Sequence, residues 1–192
     1  MKYFYPCLIA CVFSILACSP AKPEFKAIDL TGADYAQGFE LQDAFGQRRQ
    51  LSDFKGKVVV VFFGFTQCPD FCPTTLNEWV QVKKNLADKG DFLQPIFITL
   101  DPERDNPELL KAYMAGFDPS FIALIPQPDH LPELAKRYKI YYKKVETGNA
   151  GHYTLDHSAG TYIYDTQGRL RLYARYGLGP QAMSQDIAKL LQ

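Results

Sequence analysis

Between residues 58 and 65 the chain reads VVVVFFGF, with no polar side chain to face water. Such a run is too apolar for a half-exposed strand and predicts a central one, buried on both faces. Residues 92–100 repeat the pattern and predict a second buried strand. The stretch between them changes period. Leu76, Trp79 and Val80 recur at helical spacing, so a helix is expected over about 73–88. The alternation continues downstream. Helices are expected at 106–114, with Pro107 in the first turn, at 130–138 and at 180–191. Strands are expected at 121–125, 141–145, 161–165 and 169–176, the last two joined at Gln167-Gly168. Upstream, Phe39–Asp43 and Arg48–Leu51 flank a Phe45-Gly46 turn and predict a β-hairpin. Helices between buried strands, ending in an antiparallel pair, describe an α/β sandwich on a mixed sheet.

The first residues break this pattern. Lys2 is the only charge before Cys18, and residues 8–17 are apolar but too short to span a bilayer as a mature helix. Charge, apolar segment and small residue read as a secretory signal over 1–17. The Ile15-Leu16-Ala17-Cys18 ending resembles a bacterial lipoprotein signal, which implies lipidation at Cys18 and an anchor in the cell envelope. Residues 18–38, with Pro20, Pro23 and Gly32, are read as anchor and tether, and residues 39–192 as the folded domain. The domain would then face the extracytoplasmic, periplasmic side, an oxidising space.

Composition adds bounds. A chain of 192 residues with 47% apolar side chains suits one domain with a real core. Twenty-one basic residues balance twenty-one acidic ones, and loss of Lys2 leaves 20 against 21, a net charge of −1. No basic patch suggests a nucleic acid partner. Five cysteines become two, Cys68 and Cys72, once Cys7 and Cys11 leave with the signal and Cys18 carries lipid.

Those two stand in FTQCPDFCPTT, where a central strand ends and a helix begins. An α/β sheet displays reactive groups there. Pro69 and Pro73 are tolerated in a first turn. Residues four apart on a helix share a face, about 6 Å apart, within reach of a disulfide. A helix N-terminus lowers a thiol pKa, so the pair is expected to be reactive and partly exposed. Redox pair, metal site and static disulfide all remain open on spacing alone. Cys7 and Cys11 share that spacing.

FGFTQCPDFCPTTL resembles the signature of the Sco/SenC family, thioredoxin-fold proteins that assist copper insertion into cytochrome c oxidase. Thr99-Leu-Asp-Pro-Glu-Arg-Asp105 resembles the family's DPERD segment, and Asp156-His-Ser-Ala-Gly160 its DHS segment. The resemblance runs from about Phe39 to Leu191. It implies a thioredoxin-like sandwich with an N-terminal β-hairpin extension. It also implies one copper per chain, held by Cys68, Cys72 and His157. Two thiolates suit soft Cu(I), and an added imidazole suits Cu(II). His152 is the decoy five residues earlier, and His130 is read as helix N-terminal surface. Asp70 is a hard oxygen donor, poorly matched to Cu(I). Asp101 and Arg104 are expected in a loop beside the site, with Arg104 paired to Asp101 or Asp105. The implied partners are the copper-site subunit of the oxidase, a copper donor, a thiol reductant and, through the anchor, a membrane. Delivery of copper and reduction of the receiving cysteines are both compatible with these residues. The rival reading is a thiol–disulfide oxidoreductase acting through Cys68 and Cys72, with incidental metal binding; a peroxidase is a third.

Overall fold

The structure, a computed structural model, describes residues 23–148 and 152–192. The expected signal at 1–17 and Cys18 lie outside the described residues.

An eight-stranded mixed sheet forms the centre. In chain order its strands are β1 (Ile28–Asp29), β2 (Glu40–Asp43), β3 (Arg48–Gln50), β4 (Val58–Gly64), β5 (Leu93–Thr99), β6 (Ile122–Ile125), β9 (Thr161–Tyr164) and β10 (Leu170–Ala174). Their spatial order is β1-β10-β9-β4-β5-β6-β2-β3. β4, β5 and β6 are parallel, and β9 runs antiparallel to β4. Every residue of β4 and β5 is buried, as the unbroken apolar run of β4 requires.

Among the described residues four α-helices cover the sheet: α1 (Phe71–Asn85), α2 (Pro107–Ala115), α3 (Leu131–Arg137) and α4 (Pro180–Leu190). α1 packs against α4, and α2 against β6. α1 starts at Phe71, ahead of the expected Pro73. Pro73 fits inside its first turn because amides there have no partner within the helix. α2 is capped by Asn106, whose side chain accepts from the Leu109 amide, and Pro107 opens it. Among the described residues no helix is long and apolar enough to cross a membrane.

The strand expected at 141–145 is present, one element went unexpected, and one expectation needs correction. The expected strand at 141–145 does not join the main sheet. It is β7 (Tyr142–Glu146), paired antiparallel with β8 (Tyr153–His157), and the two form a separate sheet. β8 was not expected at all. Its burial alternates weakly, with Leu155 the one buried residue, so it lacks a strand's usual apolar signature.

The tether expectation over 18–38 is wrong in its second half. Residues 23–38 pack on the domain: β1 pairs with β10, and Ala27 and Ala36 are buried. The fully buried Asp186 carboxylate on α4 accepts from the Lys26 and Ala27 amides. Pro and Gly there shape a docked strap rather than a free linker. Finally, the β2–β3 hairpin does more than extend the N-terminus. β2 pairs with β6 and so continues the sheet.

Candidate metal centre

The fold brings Cys68, Cys72 and His157 together, with their ligand atoms all within 4.8 Å of one another. Cys68 lies in the turn after β4, held by its amide donating to the Phe65 carbonyl at 3.2 Å. Cys72 is the second residue of α1, and its amide donates to Cys68 Sγ at 3.4 Å. His157 ends β8, 85 residues beyond Cys72, with Nε2 3.7 Å from Cys72 Sγ.

The imidazole is oriented by its other nitrogen. Nδ1 lies 2.9 Å from the Ser158 carbonyl oxygen. A carbonyl can only accept, so Nδ1 carries a proton and Nε2 is the ring nitrogen turned to the sulfurs. Ser158 is itself tied across the hairpin base: its amide donates to the Tyr141 carbonyl, and its hydroxyl accepts from the Tyr141 amide. Phe62 and Phe65 flank the ring edge-on.

The two thiols are neither alike nor bonded to each other. The expectation of a partly exposed pair is corrected: Cys68 is 7% exposed and Cys72 wholly buried. Only Cys68 lines the cleft of about 330 Å³ outside the site, with Pro69, Phe71, Tyr141 and His157 among its walls. A hydrogen bond from the Cys72 thiol holds the Cys68 thiol down to about 4, helped by His157 and by the Asp70 and Cys72 amides, against burial. The same hydrogen bond, burial and the neighbouring charge push Cys72 far upward. The metal-free pair is therefore one thiolate, Cys68, receiving a hydrogen bond from one thiol, Cys72.

Gly64 makes room for this pair. A Cβ there would stand 2.6 Å from Cys72 Sγ and 2.9 Å from Phe97 Cε2. Sequence reasoning passed over this glycine because nothing in a β-strand pattern marks a close approach from the start of the next helix.

Asp105 is a second residue whose role was missed. Buried, it accepts from the Thr66 amide and hydroxyl and from the Thr99 hydroxyl, and so joins the turns that follow β4 and β5. Burial raises its pKa, while the threonine hydrogen bonds oppose that rise. Arg104 pairs with Asp101, not Asp105. The decoy His152 is exposed at the far end of β8, and His130 is exposed at the start of α3. Asp70 is exposed at the start of α1 and is not among the clustered ligand groups.

Comparison with known proteins agrees with this arrangement. A family model described as SCO1/SenC matches residues 29–192. An SCO2-like protein of Rickettsia prowazekii (strain Madrid E) is 38% identical over 132 residues, 68% of this chain. That match spans 64% of the relative's own length. The copper-bound structure of Bradyrhizobium japonicum ScoI is 36% identical, with a TM-score of 0.72 over 80% of this chain and 97% of the other. Apo Sco1 from Thermus thermophilus is 34% identical, with a TM-score of 0.76 over 88% of this chain and 99% of the other. The α/β fold is thus the thioredoxin-like one of those structures, with a mixed central sheet flanked by helices.

Proposed function

The chain belongs to the SCO1/SenC family, and from that premise we propose that Cys68, Cys72 and His157 hold one copper ion, carried as cargo for assembly of the dinuclear copper site of cytochrome c oxidase. The convergence of two sulfurs and one imidazole nitrogen within 4.8 Å carries this reading. Two thiolates match Cu(I), and the Nε2 lone pair adds the donor that Cu(II) needs. The hydrogen bond that fixes Nδ1 supports the same use of the ring, since ligand histidines are oriented this way. Cys18 is the lipid anchor in this proposal, with the domain on the extracytoplasmic side of a bacterial membrane. The partners are the oxidase's copper-site subunit, a copper donor and a thiol reductant.

One observation favours a second reading. Cys68 is a thiolate at the wall of a cleft with Cys72 behind it, the order of an attacking and a resolving thiol. In a thiol–disulfide oxidoreductase the imidazole would be dispensable.

Copper titration of the reduced protein separates the two. Cys68→Ala and Cys72→Ala are expected to abolish tight binding. His157→Ala is expected to keep Cu(I) and lose stable Cu(II), because two thiolates hold Cu(I) without a third ligand. A damaging His152→Ala beside a silent His157→Ala would overturn the ligand assignment. A disulfide midpoint potential unchanged by Cu(I), with copper still bound to the oxidised protein, would leave the oxidoreductase. For the anchor, Cys18→Ser is expected to release the protein from membranes or block its processing, read by mass spectrometry of the native N-terminus.

A further inference from the structure

His157 does not ride on the main sheet. It ends a two-stranded hairpin with no ladder to the eight strands that position the cysteines. Something must hold that hairpin at a fixed distance from the Cys68 turn, and Arg104 makes polar contacts to both.

Its guanidinium reaches both halves of the site. On the hairpin side, Nη1 donates to the Tyr153 carbonyl at 2.9 Å, and the guanidinium lies 3.6 Å from the centre of the Tyr153 ring. Tyr153 opens the strand that His157 closes. On the cysteine side, Nη1 also donates to Gln67 Oε1 at 3.1 Å, and Gln67 precedes Cys68. Underneath, Nε donates to Asp101 Oδ2 at 2.5 Å, while the Tyr153 hydroxyl donates to Asp101 Oδ1 at 2.8 Å. The Asp101 side chain is 1% exposed, so this ion pair is sheltered from the solvent that weakens surface pairs. Planar stacking and a multi-armed fork are properties of arginine that lysine cannot reproduce.

We propose that Arg104 is a positioning residue of the metal centre, bracing the His157 hairpin against the Cys68 turn and thereby deciding whether the site can hold Cu(II) as well as Cu(I). The second part rests on the copper reading above. The two thiolates come from one short segment and need no brace to hold Cu(I). The imidazole arrives from the hairpin, so its contribution depends on where the hairpin sits.

Arg104→Lys in the full chain tests this, because it keeps the charge opposite Asp101 and removes the fork and the stack. In the metal-free protein, β7 and β8 amides are expected to exchange hydrogen about tenfold faster, with β4 and β5 unchanged. Cu(II) affinity is expected to fall by about 10- to 100-fold, as for other groups that orient a ligand. Cu(I) affinity should stay as in the unsubstituted chain, and the Cu(II) absorption spectrum should move toward that of His157→Ala. Unchanged hairpin exchange together with unchanged Cu(II) affinity overturns the proposal, as does equal loss of Cu(I) and Cu(II). If the unsubstituted chain binds no copper, the copper reading fails, and the exchange measurement alone still decides the brace. Should Arg104→Lys fail to fold, Gln67→Ala removes its acceptor on the cysteine side, and Tyr153→Leu removes the ring it stacks on together with the hydroxyl that reaches Asp101. Each is then expected to lower Cu(II) affinity selectively, and no effect in either overturns the proposal.

Discussion

At the scale of single residues, the asymmetry between Cys68 and Cys72 governs the chemistry. A thiol held near 4 is already a thiolate at neutral pH, whereas its partner must lose a proton before it can bind metal. Copper binding should therefore release one proton from the cysteine pair, not two. Calorimetry in buffers of different ionisation enthalpy measures that number. Alkylation gives a second readout. Cys68 should react with iodoacetamide at a rate nearly flat between about pH 6 and 8, whereas an ordinary thiol titrating near 8.5 slows by about tenfold per unit as pH falls. Cys68 reactivity should drop only as pH approaches about 4, where the thiolate gains its proton. Two equivalent alkylations, or an ordinary thiol profile, would refute the asymmetry. Gly64 belongs to the same scale. Gly64→Ala should cost about 1–3 kcal/mol in urea unfolding, because the new methyl meets Cys72 Sγ and the Phe97 ring closer than van der Waals contact allows.

At the scale of elements, the sheet and its helices could be read from the chain, while the connections that build the site could not. Buried strands such as β4 announce themselves because both faces are apolar. α2 announces itself through Asn106 and Pro107. The cysteine turn and the DHS segment were visible as strings of residue types. What escaped was β8, the strand that carries the DHS histidine. β8 has alternate polar residues, pairs only with β7 and buries only Leu155, so no periodicity marks it. Asp105 escaped for a related reason. Its partner Thr66 follows β4 and Thr99 ends β5, and no local pattern joins these two strand ends through one carboxylate. That role can be tested by Asp105→Asn. The carboxylate accepts three hydrogen bonds where an amide oxygen is the single acceptor, so the variant should lose about 1–3 kcal/mol near neutral pH. The pH dependence has a definite sign. Asp105 titrates above its unfolded value of 3.8, so the folded state takes up its proton first. Through this group the native protein gains stability as pH falls from above the raised value towards 3.8. The difference between wild type and Asp105→Asn should change across that window. A difference independent of pH would show that Asp105 does not titrate abnormally.

At the scale of the whole molecule, the docked strap decides where the domain begins. If residues up to 38 were a tether, a chain starting at Phe39 would be as stable as one starting at Pro23. The packing argues otherwise. Removal of 23–38 takes away β1 from the edge of β10, uncovers the neighbours of Ala27 and Ala36, and strips the buried Asp186 carboxylate of two amide donors. Lys189 would remain 3.6 Å from Asp186, too far for a good hydrogen bond. The two hydrogen bonds to this carboxylate are worth about 1.5–3 kcal/mol each, a large share of the stability of a domain this size. The chain from Pro23 should therefore unfold in urea as one cooperative transition, while the chain from Phe39 should be several kcal/mol weaker or fail to fold. Asp186→Ala in the longer chain separates the two contributions. It removes the charge along with its donors' target, so it should be less damaging than deleting the strap. The outcome also bears on the anchor. With the domain beginning at Pro23, the five residues from Cys18 span at most about 17 Å even when fully extended. A lipid on Cys18, as proposed, would then hold the domain close to the membrane surface. Equal stability of the two truncated chains would instead restore a tether more than twenty residues long, and with it a domain free to reach well beyond the bilayer.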